Sequence, residues 1–408
     1  MKQFIREQVT WPQPFPAEEY AGRRRRVRTS LKTAGLDAIF VTTPANITWL
    51  TGYDMIWYHL KNLTGLLVRA DSDDTVFFDS VAHTTIVSVT PEIRDVVYVD
   101  GAAVSGTVEE SVAAIAKGVA DRGLAKAKIG LEMWGYAPHP ATLAALAEGL
   151  RAGGATIEDH WTLVEKQRFL KSPLEVKHVR KAAEIGDAAM AAARDAIRPG
   201  IMETEIEGVI MGTMMKLGGG YPAIRTMLGS GPRAGTHHSP PTRRKIEQGD
   251  LVFVDFCGCY DRYHVNVNRT FSVGTPDPRW TDLMTKAAGC IDAIVSEVKI
   301  GDPLSKVETV AQRYTDEAGL RKHVWWVGGY AQEIGIPPDW CGNHWLRPRF
   351  EEIGDPPLQP GMVFNLENQF DVWDNWPGGS GCAYIESLLV TENGIEVLST
   401  LPRTLVTV

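Results

Sequence analysis

The chain has 408 residues, 44% of them hydrophobic and 23% charged, enough for two domains with separate cores. A net charge of −8 excludes nucleic acid and anionic membrane as main partners, since neither gains from meeting an acidic surface. Five cysteines, at 257, 259, 290, 341 and 382, are too scattered for a disulfide framework, and "MKQFIREQVTWPQPFP" lacks the apolar stretch of a secretory signal; the expectation is a cytoplasmic protein in a reducing compartment.

In chain order, "EEYAGRRRRVRTSLKTAGL" reads as a helix stopped by glycine, its basic run at 22–28 forming a solvated face. "DAIFVTT" reads as a buried strand and "LTGLLVRADSDDTVFFD" as a hairpin around a polar turn. "TVEESVAAIAKGVADRGL", "AKIGLEM" and "HPATLAALAEGLRAGG" continue the alternation, which predicts a mixed sheet with helices packed on it. The character changes near residue 160. A hinge at Lys171-Ser172-Pro173 places proline in a first helical turn, and a long amphipathic helix runs from it to "RPG". Beyond it the pattern predicts a helix over 203–217, antiparallel strands over 223–230, 250–259 and 262–273, helices over 279–298 and 304–319, and strands near 325–335, 362–370 and 382–391. The expected division is 1–165 and 166–408.

The stretch "DLVFVDFCGCYDRYHVNVNRTF" carries the chemistry. Alternation along a strand puts Asp255, Cys257 and Cys259 on one face, and, after the turn, His264, Asn266 and Asn268 again share a face opposite Val265 and Val267. A solvated outer face would carry Thr, Lys and Glu; Asp, His and two Asn in a row read better as a site. "GMVFNLENQF" places Val363, Asn365 and Glu367 on one face, and "CAYIESLLV" embeds Glu386 in an apolar strand. A carboxylate there is costly unless paired or protonated, so two of them suggest a shared purpose. His237 and His238 precede the Asp255 strand in "THHSP".

The ordered motifs "KSP", "GSGPRAGTHHSPPTRRKIEQGDLVFVDF", "NRT", "LQPGMVF" with its following Glu, and "IESLLVTENG" resemble the creatinase, prolidase and aminopeptidase P superfamily, as does "TPANITWLTGY" in the first part. The resemblance spans nearly the whole chain. It implies an α+β fold: a pita-bread catalytic domain after a smaller α/β creatinase-like N-terminal domain. The metallopeptidases of that group hold two metals with two Asp, one His and two Glu. Here those positions match Asp255, Asn266, Gln332, Glu367 and Glu386, so two of five are neutral amides. The substrate-proximal histidine of the group matches His238. A closer similarity, in "GGYPAI", "YDRYH", "PPDW" and the Trp-rich C-terminal part, is to bacterial ectoine hydrolases, which open a cyclic amidine. In that group a carboxylate at the position of Asp255 attacks the amidine carbon; this chain has the shorter Asp and keeps Glu367.

Amide oxygens are weak ligands for transition metals, so no two-metal centre and no cofactor is expected. Three converging carboxylates still need compensation: one divalent metal ion at Asp255, Glu367 and Glu386, protons, or a cationic substrate. The resemblance favours the last, making the protein a hydrolase of a non-peptide C–N bond in a small amidine- or guanidine-like compound. Asp255 would be nucleophile or base, Glu367 and Glu386 would hold the cation, and His238 would protonate the leaving nitrogen. His264, Asn266, Gln332 and Tyr221 would orient the substrate, and Trp57 and His59 would close the mouth from the neighbouring subunit of a homodimer. The alternatives are a metal-dependent Xaa-Pro dipeptidase and a non-enzymatic pita-bread binding module. No G-x-S-x-G or P-loop is present, and Cys257-x-Cys259 has no partner pair at zinc-finger spacing.

Overall fold

The computed structural model describes residues 12–55, 63–99, 106–371 and 381–408; Trp57 and His59 lie outside the described residues. The chain divides into two compact units, Met1–Arg168 and Phe169–Val408.

In the first unit, α1 (Ala17–Ala34) ends on Gly35 in the left-handed conformation. There follow β1 (Ala38–Val41), α2 (Pro44–Thr51), β2 (Gly65–Arg69), β3 (Thr75–Asp79), α3 (Thr84–Val89), β4 (Asp95–Tyr98), α4 (Val108–Ala120), β5 (Lys128–Leu131), α5 (Pro140–Ala152), β6 (Thr156–Asp159) and α6 (Thr162–Phe169). The sheet order is β4-β3-β2-β1-β5-β6, antiparallel through β1, β2 and β3 and parallel elsewhere. Phe40, Leu67, Phe78 and Ile129 pack against Ile115, Leu143 and Leu146 of α4 and α5. The basic run on α1 is not a solvated face. Arg23 is buried and donates to Trp49 O at 2.9 Å, while Arg24 donates to Leu50 O at 3.0 Å and pairs with Glu92. Carbonyls in the last turn of α2 lack helical partners, and guanidinium groups satisfy them.

The second unit begins with α7 (Pro173–Ala196), whose capping box joins the Ser172 hydroxyl to the Glu175 N–H and the Glu175 carboxylate to the Ser172 N–H. After α8 (Glu203–Lys216) come β7 (Met227–Ser230), β8 (Leu251–Tyr260), β9 (Tyr263–Ser272), α9 (Pro278–Glu297), α10 (Ser305–Glu317), β10 (Val324–Gly328), β11 (Val363–Asp371), β12 (Gly381–Thr391), β13 (Gly394–Val397) and β14 (Val406–Thr407). The main path of the eight-stranded sheet is β10-β11-β12-β9-β8-β7. Val252, Val254, Phe256, Val267 and Phe271 join a core with α7 and α8, and Phe364, Leu366, Leu388 and Val390 join one with α9 and α10. The helices therefore claim the apolar faces, leaving the polar face of the strands for the site. Gly258 permits the close approach of α7: a Cβ there would stand 2.2 Å from Ala182 O.

Two predicted strands are shorter than expected. β7 starts at Met227 because the Ala223 N–H is spent on a side chain, the His264 ring, at 2.8 Å. β10 ends at Gly328, yet the chain still runs beside β11, with Asn365 N–H donating to Tyr330 O at 3.0 Å and Gln332 N–H to Val363 O at 2.9 Å.

His264, expected to orient substrate, instead fastens the β8-β9 hairpin. It is buried, Nε2 accepts from Ala223 N–H, and Nδ1 lies 2.7 Å from Arg262 O, so Nδ1 carries the proton. Both nitrogens are used by backbone, and Gly335 leaves room for the ring, since a Cβ there would lie 2.8 Å from Cε1. Burial holds its pKa down from 6.5 to about 4. The folded state thus resists a proton that the unfolded chain accepts, and stability is lost as pH falls from 6.5 towards about 4. We predict that His264→Gln, whose amide can make both bonds, removes this part of the acid sensitivity. In thermal unfolding across that window, wild type should lose stability relative to the variant; a pH-independent difference would contradict the clamp.

Candidate active site

The register fixes which side chains meet. On β8 and β9, Asp255 stands opposite Asn268, Cys257 opposite Asn266 and Cys259 opposite His264, so all six share one face, as the alternation predicts. Asn268 in turn pairs with Ile385 on β12, and Ile385 with Glu367 on β11. Asp255 and Glu367 therefore lie on the same face, at the two ends of one cross-strand row that runs over four strands.

Glu386 does not join them. It pairs with Leu366, one residue out of phase with Glu367, and so faces the other side of the sheet. There its carboxylate receives Arg269 Nη2 at 2.6 Å, with both side chains buried. The expected three-carboxylate cluster is thus corrected to a two-carboxylate face. The residue after Glu386 is on the site side instead: Ser387 Oγ donates to Asn266 O at 2.9 Å.

Carboxamides wire the two carboxylates together. Tyr330 N–H donates to Asn365 Oδ1 at 2.9 Å, which turns the Asn365 amide group towards Glu367 Oε1, at 2.9 Å, and Asn266 Oδ1, at 3.3 Å. With its oxygen so engaged, Asn266 presents Nδ2 to Asp255 Oδ1 at 2.8 Å and to Phe256 O at 3.2 Å. Gln332 Oε1 accepts the Asn266 N–H at 3.1 Å. Glu367 also accepts from the Tyr330 hydroxyl and, at 2.9 Å, from Gln369 Nε2. Asn266 and Gln332 are therefore at the site, but as parts that fix the carboxylates.

The donor count decides which carboxylate is the easier anion. Hydrogen bonds to a charged group contribute about 1.5–3 kcal/mol each, against a burial cost of several kcal/mol per ion. Glu367 has three such donors, which limit the upward push of burial to about 7. Burial, then the nearby Glu367 charge, push Asp255 well above the carboxylate range, with Asn266 alone opposing. Without a countercharge, the pair holds on to a proton near neutral pH.

Glu367 reaches the wall of a cavity of about 520 Å³, lined also by Trp325, Trp326, Tyr330, Trp340, Trp345, Arg349 and His238. Arg349 stacks on Trp345, its guanidinium carbon 3.7 Å from the ring centroid. His238 adopts a left-handed φ of 65° and sits edge-on to Trp325 at 5.3 Å. Burial and the neighbouring His237 lower its pKa and so favour the neutral imidazole. Its neighbour His237 is packed between Phe253 and Trp325, with Nε2 3.3 Å from Asp371. The loop carrying both is braced by Glu203, which accepts from the N–H and hydroxyl of Ser230 and of Thr242 and pairs with Arg233.

Tyr221 is 61% exposed and lines a different cleft with Thr204, Glu207 and Met211, so it does not meet Glu367. Sequence reasoning missed Tyr330, Gln369 and the tryptophan wall. The signal for the wall was the density of Trp325, Trp326, Trp340 and Trp345 within a short stretch; nothing in the pattern marked Tyr330, which sits on an irregular segment.

Comparison with known proteins matches residues 177–392 to the metallopeptidase family M24 and residues 23–170 to the creatinase/prolidase N-terminal domain. The ectoine hydrolase of Halomonas elongata is 28% identical over 411 residues, covering 96% of this chain and 98% of that protein. An Xaa-Pro dipeptidase of Pyrococcus horikoshii is 26% identical over 244 residues, covering 60% of this chain and 66% of that protein. The solved Xaa-Pro dipeptidase from Bacillus anthracis superposes with a TM-score of 0.78 at 23% identity, covering 95% of this chain and all of that one, and so shares the fold. With a creatinase-type first unit and a pita-bread second unit, the chain belongs to the M24 family of creatinase and prolidase-like hydrolases.

Proposed function

We propose that the chain hydrolyses a C–N bond of a small amidine- or guanidine-like compound, with the substrate's own positive charge standing where the family's metallopeptidases place metal. The observation that carries this reading is the direction of the Asn266 amide. Its N–H group, not its oxygen, is turned to Asp255, because Asn365 occupies the oxygen. A divalent pair would need lone pairs where these donors point, and would lack the imidazole and second carboxylate that Asn266 and Gln332 replace. With Glu386 committed to Arg269, the donor set does not fit a dinuclear centre.

The same face suits a planar cation. Glu367 supplies the anion at the cavity wall, and aromatic faces attract cations within about 6 Å. A bound amidinium beside Asp255 opposes the upward push of burial and favours its carboxylate, freeing it to attack the amidine carbon or to take a proton from the attacking water. His238, neutral beforehand, is equipped to accept a proton and then deliver it to the departing nitrogen. A homodimer belongs to this reading and is checked by sedimentation.

A metal-dependent Xaa-Pro dipeptidase is the second reading, favoured by the Pyrococcus horikoshii relative. Asp255→Asn separates the two. It removes a buried carboxyl and relieves charge crowding, so with a cationic substrate it should abolish turnover, retain substrate binding, and melt at or above the wild-type temperature. A marked fall in melting temperature reversed by added divalent metal would support the dipeptidase, because a lost ligand removes bound-ion stabilisation. For His238→Ala, a fall in turnover of about 10² or more in a folded protein is expected. Near-wild-type turnover would show that the histidine merely lines the rim.

A further inference from the structure

Two further carboxamides on the site face, like Gln332 through its Nε2, leave buried polar atoms without a partner among the described residues. Asn268 occupies the cross-strand row between Asp255 and Glu367, opposite Asp255 on one side and Ile385 on the other. It is fully buried, yet among the described residues neither Nδ2 nor Oδ1 has a hydrogen-bond partner. Gln369 shares the face of Glu367 two residues along β11. It commits Nε2 to Glu367 Oε2 at 2.9 Å, which fixes the amide and leaves Oε1 buried and, among the described residues, without a partner. By contrast, Asn266 and Asn365 use both their oxygen and their nitrogen.

Leaving a buried polar group unsatisfied costs about 1–3 kcal/mol, so folding alone gives no reason to keep two of them beside the carboxylates. Groups of this kind are satisfied when a ligand brings the missing partners. The two partners differ in what they ask for. Gln369, with its nitrogen held by Glu367, can only accept. Asn268 can accept through Oδ1 and donate through Nδ2, and it sits between the two anions. Resting on the function proposed above, we propose that Asn268 and Gln369 are specificity residues that accept N–H bonds from the nitrogen end of the substrate. Together with Glu367 they would select a planar group rich in N–H donors, such as an amidinium or guanidinium. They would discriminate against an Xaa-Pro bond, whose scissile nitrogen carries no hydrogen and leaves both acceptors unmet.

The test is acetamidinium binding to the full-length protein, measured by calorimetry for wild type, Asn268→Leu and Gln369→Leu, with melting temperatures for each. Leucine keeps the bulk of the amide and removes its polar atoms. Each variant should bind acetamidinium about tenfold more weakly, the loss of roughly one hydrogen bond to a charged group. Asn268→Leu should melt no lower than wild type, because it deletes an unsatisfied group rather than a bond. Should that variant not fold, Asn268→Ala is titrated with the same expectation for affinity. Wild-type affinity in the variants, or a lower melting temperature for Asn268→Leu with binding unchanged, would assign the amides to structure and overturn the inference. A wild-type protein that does not bind acetamidinium would overturn the amidine reading itself, and this inference with it.

Discussion

Burying two carboxylates on one face of a sheet is the constraint on which this site depends. Asp255 and Glu367 lie in one cross-strand row, both nearly inaccessible to solvent. Neither can be ionised there for free, and the surrounding amides offset only part of the cost. The Tyr330 N–H sets the orientation of Asn365, Asn365 sets that of Asn266, and Asn266 points its N–H at Asp255. One backbone donor thus determines the polarity of the whole chain of amides. Each donor in it favours an anion, and among the described residues no side-chain cation is bonded to either carboxylate. The unmet charge is what a substrate can supply.

The fold serves this arrangement by division of labour. Helices α7 and α8 cover the apolar side of β8 and β9, and α9 and α10 that of β11 and β12. Glu386 shows how strictly the pleat enforces the division: one residue out of phase with Glu367, it ends against Arg269 on the opposite side. The clamp by His264 holds the hairpin end without contributing chemistry. Around the mouth, tryptophans and the Arg349 stack give a cavity whose walls are largely aromatic, with Glu367, Arg225 and Arg349 as charged lining.

Much of this was legible in the sequence because period-two alternation is decided locally. The shared face of Asp255, Asn266 and Asn268 follows from strand geometry alone, as does that of Asn365 and Glu367. What alternation within a strand does not give is phase between strands. Placing Glu386 off the site required knowing that it stands opposite Leu366 rather than Glu367, a matter of register between two separate segments. His264 was misread for a related reason: its residue type suggests chemistry, whereas its partners are backbone groups at Ala223 and Arg262 that only the folded hairpin brings within reach. Tyr330 falls within the strand expected near 325–335, but β10 ends at Gly328 and leaves it on an irregular segment.

The central claim is that a cationic substrate, not a metal pair, neutralises the Asp255 and Glu367 face. Its most direct test is the metal content of protein purified without chelator, together with turnover of a cyclic amidine before and after chelation. A face neutralised by its substrate predicts less than one equivalent of bound transition metal and turnover indifferent to chelator. Stoichiometric zinc, manganese or iron, with activity lost on stripping and regained when the metal is returned, would contradict it.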